Sequence, residues 1–329
     1  MSGVTAATAP DSPGVAVRDW FPGFLALAAI WGSSFLFIKV AVDELHPIYV
    51  TLGRVASGAL TVLVVLAVLR DRLPRDPKLW AHTAVIAAVG VVVPFTLFGY
   101  GEQRIPSLLA GIWNATTPLV VLPLAVLVFR TERMTARRAV GMGLGFVGVL
   151  VVLGAWHGLG GAEFTGQLMC FGAAACYGVV IPYQKRFVAG RRESGVSLVA
   201  AQLVVATLQL LVLAPLLAGA PPAPTDLSLA AVGSLLALGV LGSGLAFVIH
   251  MRNIRLAGAS TASMVTYLVP IFAVVIGVLA LDEHLTWYQP VGALIVLLGV
   301  AISQGTLSRR RPVPAAPARL AGVGAGPGQ

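Results

Sequence analysis

The second half of this 329-residue chain repeats the first. Glu132-Arg133-Met134-Thr135 returns as Glu283-His284-Leu285-Thr286, 151 residues later. Val140, Gly141, Gly148 and Val149 follow the first copy, and Val291, Gly292, Gly299 and Val300 follow the second at the same spacing. Pro118 returns as Pro270 at an offset of 152, and Trp31-Gly32 with Lys39 returns as Tyr177-Gly178 with Lys185 at an offset of 146. Each copy is a run of apolar stretches about 20 residues long, the length needed to cross a hydrocarbon core of about 30 Å. If each copy holds five spans, the two must point opposite ways across a bilayer. Such a pair builds a site near the midplane that can open to either side.

Composition supports the membrane reading. Hydrophobic residues make up 57% of the chain and charged residues 11%, against about 25% charged in soluble domains. The apolar stretches fall near 20–42, 49–69, 79–98, 106–129, 136–154, 165–186, 196–217, 228–250, 260–281 and 287–306. They lack the two-residue alternation of barrel strands, so helices are expected. The expected fold is an all-α membrane protein: ten transmembrane helices as two inverted five-helix repeats, at 20–154 and 165–306. Residues 1–19 carry no apolar leader, so the first span is expected to act as the insertion signal. That segment and the Arg/Pro/Gly/Ala-rich 307–329 are expected to be disordered cytoplasmic tails. Cys170 and Cys176 are six residues apart on one span, which separates their faces and argues against a disulfide.

The sequence has a formal net charge of +9 and an isoelectric point near 10.3. With the N-terminus inside, 19 of the 22 Lys and Arg residues fall on the cytoplasmic side; Arg104 alone falls outside, and Lys39 and Arg54 lie within spans. This asymmetry sets a topology with both termini cytoplasmic, in the cell membrane. The high isoelectric point is therefore a topology signal and not a nucleic-acid footprint.

Several segments together resemble a known family. They are Trp31-Gly32-Ser33-Ser34-Phe35 with Lys39, Pro47 and Arg54; Gly101-Glu102-Gln103-Arg104-Ile105-Pro106; and Asn114-Ala115-Thr116-Thr117-Pro118 with Glu132 and Gly141. Tyr267-Leu268-Val269-Pro270 with Glu283 and Gly292 completes the set. Their order and duplication resemble the EamA branch of the drug/metabolite transporter superfamily over about residues 20–306. The resemblance implies a ten-helix secondary transporter, often an exporter of amino acids or other small metabolites.

Candidate functional residues are the polar, charged and aromatic groups placed on spans. Lys39 and Arg54 lie near outer span ends, where snorkelling is the ordinary reading; turned inward, they would bind an anionic group. Arg54 has Gln202 as its counterpart in the second copy, so its charge is unmatched. Glu102 is either paired with Arg104 or a gate or proton site. Asn114, Thr266 and Tyr267 offer either interhelical hydrogen bonds or a polar lining. Trp31, Trp113 and Tyr177 are packing residues or could stack a substrate ring. Pro118 and Pro270 kink their spans at equivalent depth and are hinge candidates. Glu132 and Glu283 are expected to serve the N-termini of the following helices, with Thr135 and Thr286 as caps. Gly141 and Gly145 read as a close helix contact. Gly143-x-Gly145-x-x-Gly148 has no preceding strand, so it fails as a dinucleotide fingerprint.

No catalytic constellation, metal-ligand cluster or cofactor motif is found, and no ATP-binding domain is present in the chain, so an enzyme is not expected. The expected function is a monomeric secondary transporter, exporting a small metabolite such as an amino acid by alternating access. The alternatives are a nucleotide-sugar or sugar-phosphate carrier of related fold, which Lys39 and Arg54 could serve, and an intramembrane enzyme or sensor.

Overall fold

The computed structural model describes residues 17–157, 161–188, 190–257, 259–262 and 264–304. Most of both expected tails therefore lies outside the described residues. Among the described residues the secondary structure is entirely helical. Helices α1 (Val17–Val42), α2 (Pro47–Val68), α3 (Pro77–Glu102), α4 (Ser107–Leu127), α6 (Gly161–Phe187), α7 (Gly195–Ala218) and α8 (Leu229–Ala257) are each long and apolar enough to cross a membrane. Helices α5 (Ala136–Val152), α9 (Val265–Leu281) and α10 (Tyr288–Gln304) have 17 residues each.

Local chemistry sets the starts. Asp76 accepts from the Lys78 N–H ahead of Pro77, and Thr135, Ser194 and Ser228 each accept from an N–H three residues on. These are N-caps, which satisfy donors that the first helical turn leaves open. Sequence periodicity ends the third and eighth stretches at 98 and 250, whereas the helices run to Glu102 and Ala257. Both contain a wide π-helical segment, at Ala88–Val92 and Ala237–Leu245.

The loops gather at two ends. At one end, Arg191 pairs with Asp76 at 2.8 Å, Ser194 donates to Asp71, and the Ser197 hydroxyl donates to the Arg72 carbonyl at 2.7 Å. Glu132 joins Lys185 at 2.8 Å and Arg138 at 2.5 Å at this basic end. At the other end, Glu44 accepts from the Ser228 N–H at 2.8 Å and its hydroxyl at 2.5 Å, and Tyr49 donates to the Gly219 carbonyl. The expected cap role of Glu283 is corrected here. Its carboxylate serves α4, accepting from the Ser107 N–H (2.7 Å), the Ser107 hydroxyl (2.8 Å) and the Leu108 N–H (3.0 Å). The equivalent residues Glu132 and Glu283 thus lie beyond opposite ends of α4.

The Lys185 ammonium, with Arg138, holds the Glu132 carboxyl below the ordinary carboxylate range. A depressed folded value means that the stabilisation is present above the unfolded value of about 4.3 and is lost as pH falls through the folded one. Glu132→Gln should therefore lower the thermal midpoint at pH 7. The gap to the unsubstituted protein should close in melts run at progressively lower pH.

Candidate functional site

A cavity of about 350 Å³ lies between the two halves. Its lining follows the repeat. Trp31 and Phe35 of α1 face it with Tyr177 and Ile181 of α6; Arg54 of α2 matches Gln202 of α7; Gly90, Phe95 and Phe98 of α3 match Gly242, Phe247 and His250 of α8. Asn114 and Thr117 of α4 match Thr266 and Val269 of α9. Two close approaches place these helices. A methyl group on Gly32 would stand 2.5 Å from the Phe272 Cβ, and one on Gly178 would stand 2.5 Å from a Val120 methyl. Phe272 and Val120 are themselves 152 residues apart, so α1 meets α9 as α6 meets α4. The π-helical segment of α8 also presents a carbonyl: Gly242 accepts from the Trp31 indole at 3.2 Å. Such segments recur at functional sites.

Arg54 is turned inward, not snorkelling. It is 8% exposed, its Nε donates to the Ser243 hydroxyl at 3.0 Å, and its guanidinium carbon lies 3.8 Å from the Phe95 ring centre. Lys39 does not join it. The Lys39 ammonium donates to the Glu102 carbonyl at 2.6 Å and the Ile105 carbonyl at 3.4 Å, binding the end of α3. The two-cation grip that a sugar phosphate would use is therefore not assembled in this cavity.

Of the candidates, the cavity brings together Trp31, Arg54, Asn114, Tyr177, Gln202 and Thr266, with Pro118. Four others, Glu102, Trp113, Tyr267 and Pro270, stand elsewhere. Glu102 is wholly buried, and neither carboxyl oxygen has a hydrogen-bond partner among the described residues; Arg104 instead donates to the Tyr100 carbonyl. Trp113 is 1% exposed in the core and donates to Gln167 at 3.2 Å. Its neighbour Asn114 takes the cavity-facing position, because adjacent residues on a helix point about 100° apart. Tyr267 is displaced from the lining in the same way by Thr266. Pro270 is buried within α9 and does not line the cavity, whereas Pro118 does, just after α4 breaks at Ala115–Thr116. Phe35, Phe95, Phe98 and Phe247 are lining residues that were not among the candidates; His250, which the sequence left open beside Glu102 as a proton-coupling residue, lines the cavity as well. The offset of 152 pairs Phe95 with Phe247 and was the signal that could have found them.

At the end away from the basic loops, the Lys39 and Glu283 contacts join α1 to the end of α3 and the segment after α9 to the start of α4. Toward the basic end the cavity meets a second one, which Gln202 also lines together with Gln184, Lys185 and Arg191.

A multi-pass helical membrane protein with a pocket between repeated halves is the class that these features define. The pattern of the EamA-like transporter family matches residues 20–154 and 164–304. The chain belongs to that family. It is similar to the Bacillus subtilis transporter YoaV, with 24% identity covering 88% of this chain and 98% of the relative. A Streptantibioticus cattleyicolor protein named "Probable terminal-alkyne amino-acid exporter" is 28% identical over 85% of this chain and 92% of its own. An Archaeoglobus fulgidus transporter is 27% identical, over 87% and 98%. A solved structure described only as the crystal structure of a protein superposes with a TM-score of 0.59 at 18% identity, covering 90% of this chain and all of that one. That likeness concerns the fold alone.

Proposed function

We propose that the chain is a secondary transporter of the cell membrane, with ten spans as two inverted five-helix repeats and both termini cytoplasmic. It exports a small metabolite, such as an amino acid, by alternating access. The observation that carries this reading is the cavity itself. Residues at equivalent places in both repeats line it, the Lys39 and Glu283 contacts stand toward one end, and Gln202 continues it toward the basic end. The basic end is assigned to the cytoplasm because lysine and arginine concentrate in its loops. The kinship with a protein named as an amino-acid exporter supports the substrate size.

The test is transport in reconstituted vesicles without ATP. The substrate is found by comparing metabolites in cells lacking and overproducing the protein. Movement down an imposed gradient without ATP is expected, and strict ATP dependence would reject the reading. Arg54→Ala should cut that transport at least tenfold while the protein still inserts, because truncating a buried charge contact costs about 2 kcal/mol or more.

A further inference from the structure

The cavity has one formal charge and nothing inside it to balance that charge. Among the twenty lining residues Arg54 is the only lysine or arginine, and no aspartate or glutamate is present. The ion pairs found among the described residues, Arg18–Asp19, Arg138–Glu132, Lys185–Glu132 and Arg191–Asp76, all lie outside the cavity. Glu102 is buried behind the wall; its charge and that of Arg54 act on each other, but its carboxyl oxygens make no hydrogen bond among the described residues and it does not line the cavity. The Arg54 fork is held from two sides, by Ser243 at Nε and by the Phe95 face, so its terminal nitrogens remain to meet a ligand. A buried charge is costly unless it is paired, and here the missing half of the pair is a negative group.

We propose that the cavity is built for an organic anion. It takes a small carboxylate with an aromatic or branched apolar body, whose carboxylate pairs with Arg54, and it gives no charged recognition to an amino group on that body. This deepens the transporter reading and rests on it for the role of the cavity. The volume matches the small end of ligand pockets, about 300 Å³ upward. The walls suit such a body, since Trp31, Phe35, Phe95, Phe98 and Phe247 supply aromatic surface. An ammonium would shed water and meet only neutral acceptors such as Asn114 and Gln202. A ligand bearing only an ammonium would also be repelled by Arg54.

The repeat sharpens the assignment. Two groups of the lining that can carry a positive charge break its symmetry with an uncharged partner on the other side: Arg54 opposite Gln202, and His250 opposite Phe98. Either could in principle face a carboxylate, and each can be replaced by its own counterpart. Arg54 is favoured, because a guanidinium is always protonated and offers a carboxylate a planar fork, while His250 lies against the Trp31 ring, with centroids 5.3 Å apart, and offers one ring nitrogen without a partner among the described residues.

The experiment uses the full chain in lipid nanodiscs at neutral pH and three probes sharing one body: 3-phenylpropanoate, phenylalanine and 2-phenylethylamine. Calorimetric titration should find the propanoate bound on the order of tenfold or more tightly than the amine, and phenylalanine bound no more tightly than the propanoate. Arg54→Gln should abolish the preference for the anion, and Arg54→Lys should keep its sign. Three results would overturn the proposal: tighter binding of the amine or the amino acid, a preference that survives Arg54→Gln, or no binding of any probe. If the Gln variant fails to fold, the Lys variant and the probe series still decide. ATP-independent transport of the cell's own metabolites is measured separately, so the transporter reading can stand when the anion assignment falls.

Discussion

Gly148→Leu should abolish the folded protein, whereas Gly143→Leu, five residues earlier on the same helix, should be tolerated. Helices α5 and α10 touch backbone to backbone. A methyl group on Gly148 would stand 2.6 Å from the Val296 nitrogen and 2.9 Å from the Gly292 carbonyl oxygen. From the other side, a methyl on Gly299 would meet the Gly145 nitrogen at 2.4 Å, and one on Gly292 would meet the Val152 nitrogen at 2.6 Å. These neighbours are main-chain atoms and cannot rotate away. Helix association in lipid depends on close packing, because hydrocarbon tails remove the ordinary hydrophobic drive. Forcing a single extra group into a packed core costs about 1–3 kcal/mol. A whole leucine between two backbones separates the helices and forfeits the interface. Gly143 has open space around its Cβ position, so it controls for loss of glycine as such. The measurement is the yield of monodisperse protein and its thermal midpoint in detergent. Equal behaviour of the two variants would contradict the packing account.

Much of the fold was legible because lipid permits few backbone solutions. Long apolar runs must be helices, and their order along the chain can be read from the residues. The ends were less legible. Hydropathy falls at Tyr100–Arg104 and again at Met251–Arg255, yet hydrogen bonding carries α3 to Glu102 and α8 past Arg255 to Ala257. In the site, the repeat singled out Arg54, whose counterpart Gln202 is neutral and whose side chain faces the cavity. It could not say which of two adjacent residues faces inward. Trp113 and Asn114 differ by one position, and only the rotation of α4 decides that the asparagine lines the cavity and the tryptophan fills the core. Glu283 misled for a related reason. Proximity in sequence tied it to α10, but the carboxylate binds the first turn of α4, 176 residues away.

The central claim is that the two repeats take turns closing opposite ends of one cavity. Under that proposal, the contact of Glu283 of the second repeat on Ser107 of the first lies at one of those ends and has to open in every cycle. Ser107→Cys with Glu283→Cys, in a background carrying Cys170→Ala and Cys176→Ala, places two thiols at that contact. The most direct measurement is transport by this protein in vesicles, before and after treatment with a short reducible thiol crosslinker, and again after reduction. The account predicts that crosslinking stops transport almost completely and that reduction restores it, while either single cysteine is unaffected. Undiminished transport with the contact locked would contradict it.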